Sequence, residues 1–292
     1  MKTLITGGSG FIGKRLLSLI DNSMSFDIRG DRIRTLYGDI CSYDDILKGT
    51  ENIDGILHLA AISRVSDCER NVFDCIKVNI LGTLNVIEAA INNNVKWLAL
   101  VTTGEVVWIQ NDEVKSFNRI DNLYGITKLT DELFLDVYNA KYNLNSIVFR
   151  ISSVVFGGTD DNPNKVFPMF VKKAVCNEKI FVNDITSQWD FIHVDSVVSL
   201  IGNKIQTIKN QEDGIVEVDI SSGIKLNLVS LAKMIHYLAK SSSVIEYNSF
   251  SSSEITETDY KKIVMENNIT EEFISSVFDS ISEYKLKYNN VR

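Results

Sequence analysis

Proline is nearly absent from this chain: Pro163 and Pro168 are the only two in 292 residues. Proline therefore marks no domain boundary, and a Pro-rich linker is excluded. Histidine is scarce as well, with His58, His193 and His236 only, and the four cysteines, Cys41, Cys68, Cys75 and Cys176, contain no CxxC pair. No zinc-ligand spacing appears, so no metal is expected, and this cysteine usage fits a reducing compartment. No apolar run approaches the ~20 residues of a membrane span. The opening MKTLITGGSGFIG enters a strand at once, with no charged leader ahead of an apolar stretch. The expectation is a cytoplasmic protein with no membrane partner. Basic runs are missing too. Thirty Lys and Arg stand against 38 Asp and Glu, a net charge of −8, so nucleic acid is not an expected partner. A small anionic ligand in a locally basic pocket is compatible with that balance.

What is present is ordinary globular composition, 45% hydrophobic and 23% charged. The length suits one large α/β unit, or a nucleotide-binding domain with a smaller appendage. Apolar runs at Lys2–Thr6, Phe26–Arg29, Thr35–Tyr37, Gly55–Leu59, Trp97–Thr102 and Asn145–Arg150 read as strands. Helical spacing separates them at Phe11–Ile20, at Phe73–Asn92 (with Ile76, Ile80, Leu84, Ile87 and Ile91 on one stripe) and at Leu123–Tyr142. Such alternation predicts a Rossmann-type α/β fold, a doubly wound parallel sheet with helices on both faces. Residues 159–187 and 221–292 are more polar and less regular. They are expected to form a small mixed α/β substrate-binding lobe, with residues 1–158 the dinucleotide-binding domain and 188–220 returning to it. Within that return, Phe191–Val194 and Ile215–Ile220 read as strands of the main sheet.

Between the first strand and the first helix lies Gly7-Gly8-Ser9-Gly10-Phe11-Ile12-Gly13. Gly7 permits the tight turn, Gly10 lets backbone approach a pyrophosphate, and Gly13 allows close helix–strand packing. The helix N-terminus then offers N–H groups to the anion. A glycine triplet alone is weak; the strand before it and the helix after it give it force. Asp27 follows Gly7 by 20 residues, where a carboxylate accepts from the ribose hydroxyls of NAD. Arg29 and Arg32 nearby are the counter-candidates, as ligands for the extra phosphate of NADP. NAD is the expected cofactor and NADP the alternative. Asp39, followed by Ile40, ends the next strand, where it would accept from the adenine amino group.

Tyr124-Gly125-Ile126-Thr127-Lys128 places a phenol and an ammonium one helical turn apart. A phenol titrates near 10 and is a poor base at neutral pH; a neighbouring cation favours its ionised form. Such a pair can pass a proton to and from a substrate hydroxyl. With the glycine loop, it makes residues 1–225 resemble the extended short-chain dehydrogenase/reductases, the NAD-dependent epimerase/dehydratase family. Further segments are similar to family signatures: His58-Leu59-Ala60-Ala61, Asn79-Ile80-Leu81-Gly82-Thr83-Leu84-Asn85, Val101–Val106, Asp190-Phe191-Ile192-His193-Val194-Asp195 and Val218–Gly223.

The resemblance implies roles. Tyr124 is the acid/base. Lys128 holds the nicotinamide ribose and lowers the tyrosine pKa. Thr103 hydrogen-bonds the substrate oxygen, with Thr102 as the fallback, because adjacent strand residues face opposite ways. Glu105 stands where dehydratases of the family place a base, and a structural cap is the equal alternative. Leu59, Ala60, Ala61 and Asn79 would line the cofactor, although an asparagine in Asn79's position more often holds a helix in place. His58 and His193 sit in apolar strand patterns and read as core residues. The implied substrate is a nucleoside-diphosphate sugar, modified by epimerisation or dehydration through a keto intermediate; the implied assembly is a homodimer. A reductase of a 4-keto-6-deoxy sugar nucleotide and a non-catalytic NAD(P)-binding regulator are the alternatives. Three departures from the family pattern stand out. Trp189 replaces a phosphate-binding arginine, Ser153 replaces a substrate-binding asparagine, and the C-terminal part lacks an R-x-G-D segment. Lys165, Lys172, Lys173 and Lys179 are the candidates for supplying the missing charge.

Overall fold

The structure is a computed structural model. It describes residues 1–292 except 31–33, 105, 107, 112–113, 118–119, 121, 152–153, 209–213, 249 and 290–292, and of 108–111, 114–117 and 289 it describes the backbone only. The chain divides into two compact units: Met1–Ile151 with Val197–Ile220, and Ser152–Ser196 with Ser221–Arg292.

The first unit is built on a seven-stranded sheet. Its spatial order is Ile215–Ile220, Ser146–Ile151, Trp97–Thr103, Gly55–His58, Thr3–Thr6, Ser23–Asp27, Thr35–Tyr37. Every neighbouring pair is parallel. Parallel strands covered by helices on both faces must be apolar throughout, which is why the strands at 3–6, 55–58 and 146–151 are buried at every position. The chain starts at Thr3–Thr6, winds outward to Thr35–Tyr37, then crosses to the other side at Gly55–His58. That reversal is the topological switch point where ligands of open α/β sheets bind, at the C-terminal strand ends. Gly7 and Leu59 emerge there side by side.

The predicted helix over 73–92 is helical throughout but not a plain α-helix. After Val72–Cys75 comes a π-helical stretch, Ile76–Leu81, and then an α-helix, Gly82–Asn92. The wider turn rotates the chain about its axis. The buried face is therefore Cys75, Asn79, Gly82, Thr83, Val86, Ile87 and Ala90, whereas Ile76, Ile80 and Leu84 of the expected stripe are only half-buried. A further short helix, Val65–Arg70, precedes it, and the break at Asn71 brings Cys68 and Cys75 together as a disulfide with 5.0 Å between Cα atoms. This pairing, seven residues apart, is one that the lack of a CxxC pair gave no sign of; Cys41 and Cys176 are free.

The second unit has its own core. Phe156, Phe167, Phe170, Phe191, Leu231, Ile235 and Val277 are buried in it. Two three-stranded sheets, ordered Lys225–Asn227, Gln188–His193, Val154–Phe156 and Ile180–Val182, Ile245–Tyr247, Phe250–Ser252, pack with helices at Val166–Val175, Leu228–Ala239, Glu257–Glu266 and Glu271–Asn289. The strand expected to return to the main sheet at Phe191–Val194 lies in the first of these small sheets instead. It pairs antiparallel with Leu226 and its neighbours and parallel with Val154–Phe156. The return to the large sheet is made by Ile215–Ile220.

Candidate active site

Gly7 takes a left-handed φ of +68°, and a Cβ there would lie 2.8 Å from Ala60 N. A Cβ on Gly13 would lie 2.5 Å from Gly7 O. Both positions therefore demand glycine. Gly10 is different: an added Cβ would meet nothing within 4 Å except Gly7 O, at 3.1 Å. Its bare face is the open one, and the helix Phe11–Leu19 that it caps has no side-chain cap of its own. A helix N-terminus left without a side-chain cap beside exposed glycine backbone suits a pyrophosphate.

Asp27 stands at the end of the second strand and braces this loop. Its Oδ2 accepts from Ser9 N at 3.1 Å and its Oδ1 from Arg29 N at 3.0 Å. Asp39 Oδ1 accepts from Cys41 N at 2.9 Å, closing its own turn. Ile40 is a core residue against Gly82, and its carbonyl accepts from Asn85 Nδ2 at 2.9 Å. Leu59, Ala60 and Ala61 are half-buried beside Gly7; Ala60 N donates to Thr6 Oγ1 at 3.3 Å. Asn79 is fully buried. Its amide accepts from Ile62 N at 2.8 Å and donates to Ile62 O at 3.1 Å and to Thr127 Oγ1 at 3.0 Å. It thus fastens the segment after Ala61 to the Tyr124 helix and positions both.

That helix, Leu123–Tyr142, starts at Asn122, whose Oδ1 accepts from Gly125 N at 2.8 Å. The cap fixes the first turn, which carries Tyr124. Lys128, one turn on, is 2% exposed, and its Nζ donates to Asp131 Oδ2 at 2.7 Å. Thr102 and Thr103 end the neighbouring strand, both buried. Thr102 Oγ1 donates to Glu132 Oε1 at 2.6 Å, which commits that hydroxyl to the interior. Glu105, like Arg32 and Ser153, lies outside the described residues.

Sequence reasoning missed the buried polar groups behind this face. Arg150, 5% exposed, grips Glu132 through Nε at 3.1 Å and Nη2 at 2.8 Å and reaches Glu217 at 3.0 Å. The network ties the Tyr124 helix to three strands. Glu132 follows Lys128 by four residues, so helical spacing could have placed it on the same face. His58 bonds Thr6 Oγ1 at 2.6 Å and Thr83 Oγ1 at 3.0 Å. Burial, reinforced by Lys128, pushes its pKa down to about 3, so it is a neutral core residue, as its strand pattern implies. A cavity of about 410 Å³ lined by Met1, Asp54, Lys96, Trp97, Asn145 and Ile208 lies at the N-terminal strand ends, remote from these groups. Among the described residues no cluster of metal ligands occurs and no helix is long and apolar enough to cross a membrane.

In the second unit, Asp190 joins two of the signature segments: it accepts from Ser221 Oγ at 2.8 Å, Ser222 N at 3.1 Å and Gly223 N at 2.9 Å. Trp189 Nε1 is buried without a hydrogen-bond partner among the described residues. The four candidate lysines have local contacts: Lys165 pairs with Asp161 at 3.0 Å, Lys179 with Glu246 at 2.6 Å, Lys172 lies over the Tyr288 ring and Lys173 over Phe181.

The sequence model of the NAD dependent epimerase/dehydratase family matches residues 3–218, well over half of the chain. The chain belongs to that family. It is accordingly an NAD-dependent enzyme of the extended short-chain dehydrogenase/reductase type. Among its relatives, human dTDP-D-glucose 4,6-dehydratase is 26% identical over 265 residues, covering 82% of this chain and 74% of that protein. GDP-6-deoxy-D-talose 4-dehydrogenase of Aggregatibacter actinomycetemcomitans is 27% identical over 256 residues, 85% of this chain and 83% of that protein. The crystal structure of Thermus thermophilus UDP-glucose 4-epimerase in complex with NAD shares the fold, with a TM-score of 0.77 at 17% identity over 98% of this chain and 99% of that one.

Proposed function

We propose that this enzyme is a nucleotide-sugar epimerase or dehydratase that works through a keto-sugar intermediate. The observation that supports this most is the sealed Lys128 ammonium one turn from Tyr124, on a helix next to the strand that ends at Thr103. In this reading Thr103 holds the substrate oxygen. Tyr124 takes the hydroxyl proton and later returns it. Lys128 favours the phenolate and binds the nicotinamide ribose. The NAD that these residues would hold would supply the hydride acceptor and donor for the sugar carbon. Glycines 7, 10 and 13, with Phe11 and Ile12, hold the pyrophosphate. Asp27 accepts from the ribose hydroxyls and repels a 2′-phosphate, which selects NAD over NADP. Asp39 and Ile40 flank the adenine, and Leu59–Ala61 line the opposite side. Glu105 removes the carbon-bound proton if dehydration occurs.

The second unit serves as the substrate lobe, and the substrate is a nucleoside-diphosphate sugar, as the names of the human and Aggregatibacter relatives suggest. A cytoplasmic homodimer completes the reading. Ile126, Leu133 and Val137 on the Tyr124 helix, with Phe73 and Leu81 on the elements packed beside it, expose apolar side chains suited to a second copy. The Aggregatibacter relative, a dehydrogenase by name, favours a second reading, a net oxidoreductase. Absorbance at 340 nm separates the two, because an epimerase leaves the cofactor unchanged. Calorimetry with UDP, GDP, CDP and dTDP on the NAD-loaded protein tests the substrate class. Binding of one is expected; no binding of any at millimolar concentration rejects it. Tighter binding of NADPH than NADH by tenfold, ~1.4 kcal/mol, reverses the cofactor choice.

A further inference from the structure

Lys128 raises a physical difficulty. A cation sealed from water needs a counter-charge within reach, and Lys128 is sealed in this way. The groups facing it are few. His58, from the Gly55–His58 strand, is neutral and its two ring nitrogens are occupied by Thr6 and Thr83. Glu132, the next carboxylate on the helix, is held by Arg150, which also binds Glu217. Asp131 remains. It is 0% exposed, its Oδ2 accepts from Lys128 Nζ at 2.7 Å, and Thr83, whose hydroxyl donates to Asn79 O, lies alongside the same carboxylate. Its Oδ1 has no hydrogen-bond partner among the described residues. A buried carboxylate in contact with one cation and otherwise under-coordinated is placed to serve that cation.

We infer that Asp131 is a positioning residue: the buried counter-ion that holds Lys128 Nζ in place along its helix, and that thereby sets the proton affinity of Tyr124. The inference rests on Tyr124 and Lys128 acting as described above. It deepens that reading by naming the buried group that pairs with Lys128. Burial, opposed by Lys128, pushes the Asp131 carboxyl up to about 6. Above that pH the Asp131 carboxylate is the charged partner of Lys128 Nζ; below it that charge is lost.

The test is the titration of Tyr124 itself, followed by NMR in the full chain carrying ¹³C-labelled tyrosine, with the Tyr124 signal identified by its loss in Tyr124→Phe. Asp131→Asn keeps the shape and a hydrogen bond to Lys128 but removes the charge. The expected result is a rise in the Tyr124 pKa of about one unit or more, a tenfold change in the phenolate ratio, with the acid limb of kcat/KM moving to higher pH by the same amount. An unmoved or lowered Tyr124 pKa overturns the inference, since an asparagine with a merely structural role would leave it in place. If the pKa rises but Tyr124→Phe keeps wild-type turnover, the ion pair stands and the acid/base role of Tyr124 fails. Should Asp131→Asn not fold, the double variant Lys128→Met/Asp131→Asn decides. Recovery of folding when both charges are gone is the behaviour of a buried pair; a double variant as unstable as the single one overturns the inference.

Discussion

At the scale of single residues, the proposed mechanism asks the Tyr124 phenol to act as a base at neutral pH, well below its ordinary pKa near 10. Tyr124→Phe keeps the ring and removes the proton relay, so kcat should fall by roughly 100- to 10,000-fold, while NAD affinity by calorimetry stays near wild type. Retained turnover would show that another group moves the proton. Trp189 offers a second test. Its indole N–H is buried and unpaired among the described residues, a cost of about 1–3 kcal/mol. Trp189→Phe removes that cost together with part of the ring's packing against the core, so the urea midpoint should move little. If the N–H waits for substrate, nucleotide-diphosphate binding should weaken in the same variant. Residue types were readable in the sequence where a motif constrains them, as with Gly7, Gly13 and Tyr124. Asp131 was not, because helical spacing shows that it lies near Lys128 but not that both are sealed from water. The engagement of Thr102 by a partner 30 residues away, Glu132, was likewise out of reach of local spacing.

At the scale of elements, the helix Leu123–Tyr142 depends on its first turn. Asn122→Ala removes the acceptor for Gly125 N and should cost about 1 kcal/mol of stability; it should also lower kcat, since Tyr124 sits in the turn released. Denaturant melts and initial rates measure the two effects. The Gly55–His58 strand carries a pH dependence. His58 has a folded pKa near 3 against an ordinary value near 6.5. The unfolded chain therefore binds the extra proton first as pH falls. The contribution of His58 to stability is complete above about pH 6.5 and is lost progressively toward pH 3, with a slope of up to about 1.4 kcal/mol per pH unit. His58→Asn should flatten that slope in denaturation series between pH 4 and 6.5; an identical slope would show that other groups carry it. The strands were legible because parallel, doubly covered strands are continuous apolar runs. The face of the 73–92 helix was not, because a plain 3.6-residue period cannot register the π-helical stretch at Ile76–Leu81.

At the scale of the whole molecule, the parallel sheet and its switch point followed from the alternation of patterns, while the course of the chain after residue 150 did not. Gln188–His193 is as apolar as a main-sheet strand, yet it belongs to the second unit, where Phe191 is buried in a separate core. Periodicity reports that a strand is covered, not which layer covers it. The proposed assembly is open to a direct check. Val137, 63% exposed on the Tyr124 helix, would lie inside a dimer contact, and Val137→Lys would bury a charge there. Analytical ultracentrifugation should find a dimer for the wild type and a monomer for the variant. A wild-type monomer at tens of micromolar would reject the assembly.

The π-helical stretch has a consequence for how this sequence tolerates changes of length. A π turn is geometrically an α-helix with one residue too many. Deleting one residue of Ile76–Leu81 other than Asn79 would let the segment relax into ordinary α-helix while the helix beyond it keeps its face, because the wide turn is what absorbs the extra residue. A deletion within Gly82–Asn92 has no such slack: each helical residue turns the chain by about 100°, so the side chains after the gap, such as Val86, Ile87 and Ala90, would leave the core. In a deletion scan read by denaturant melts, loss of Leu81 should therefore be borne better than loss of Leu84.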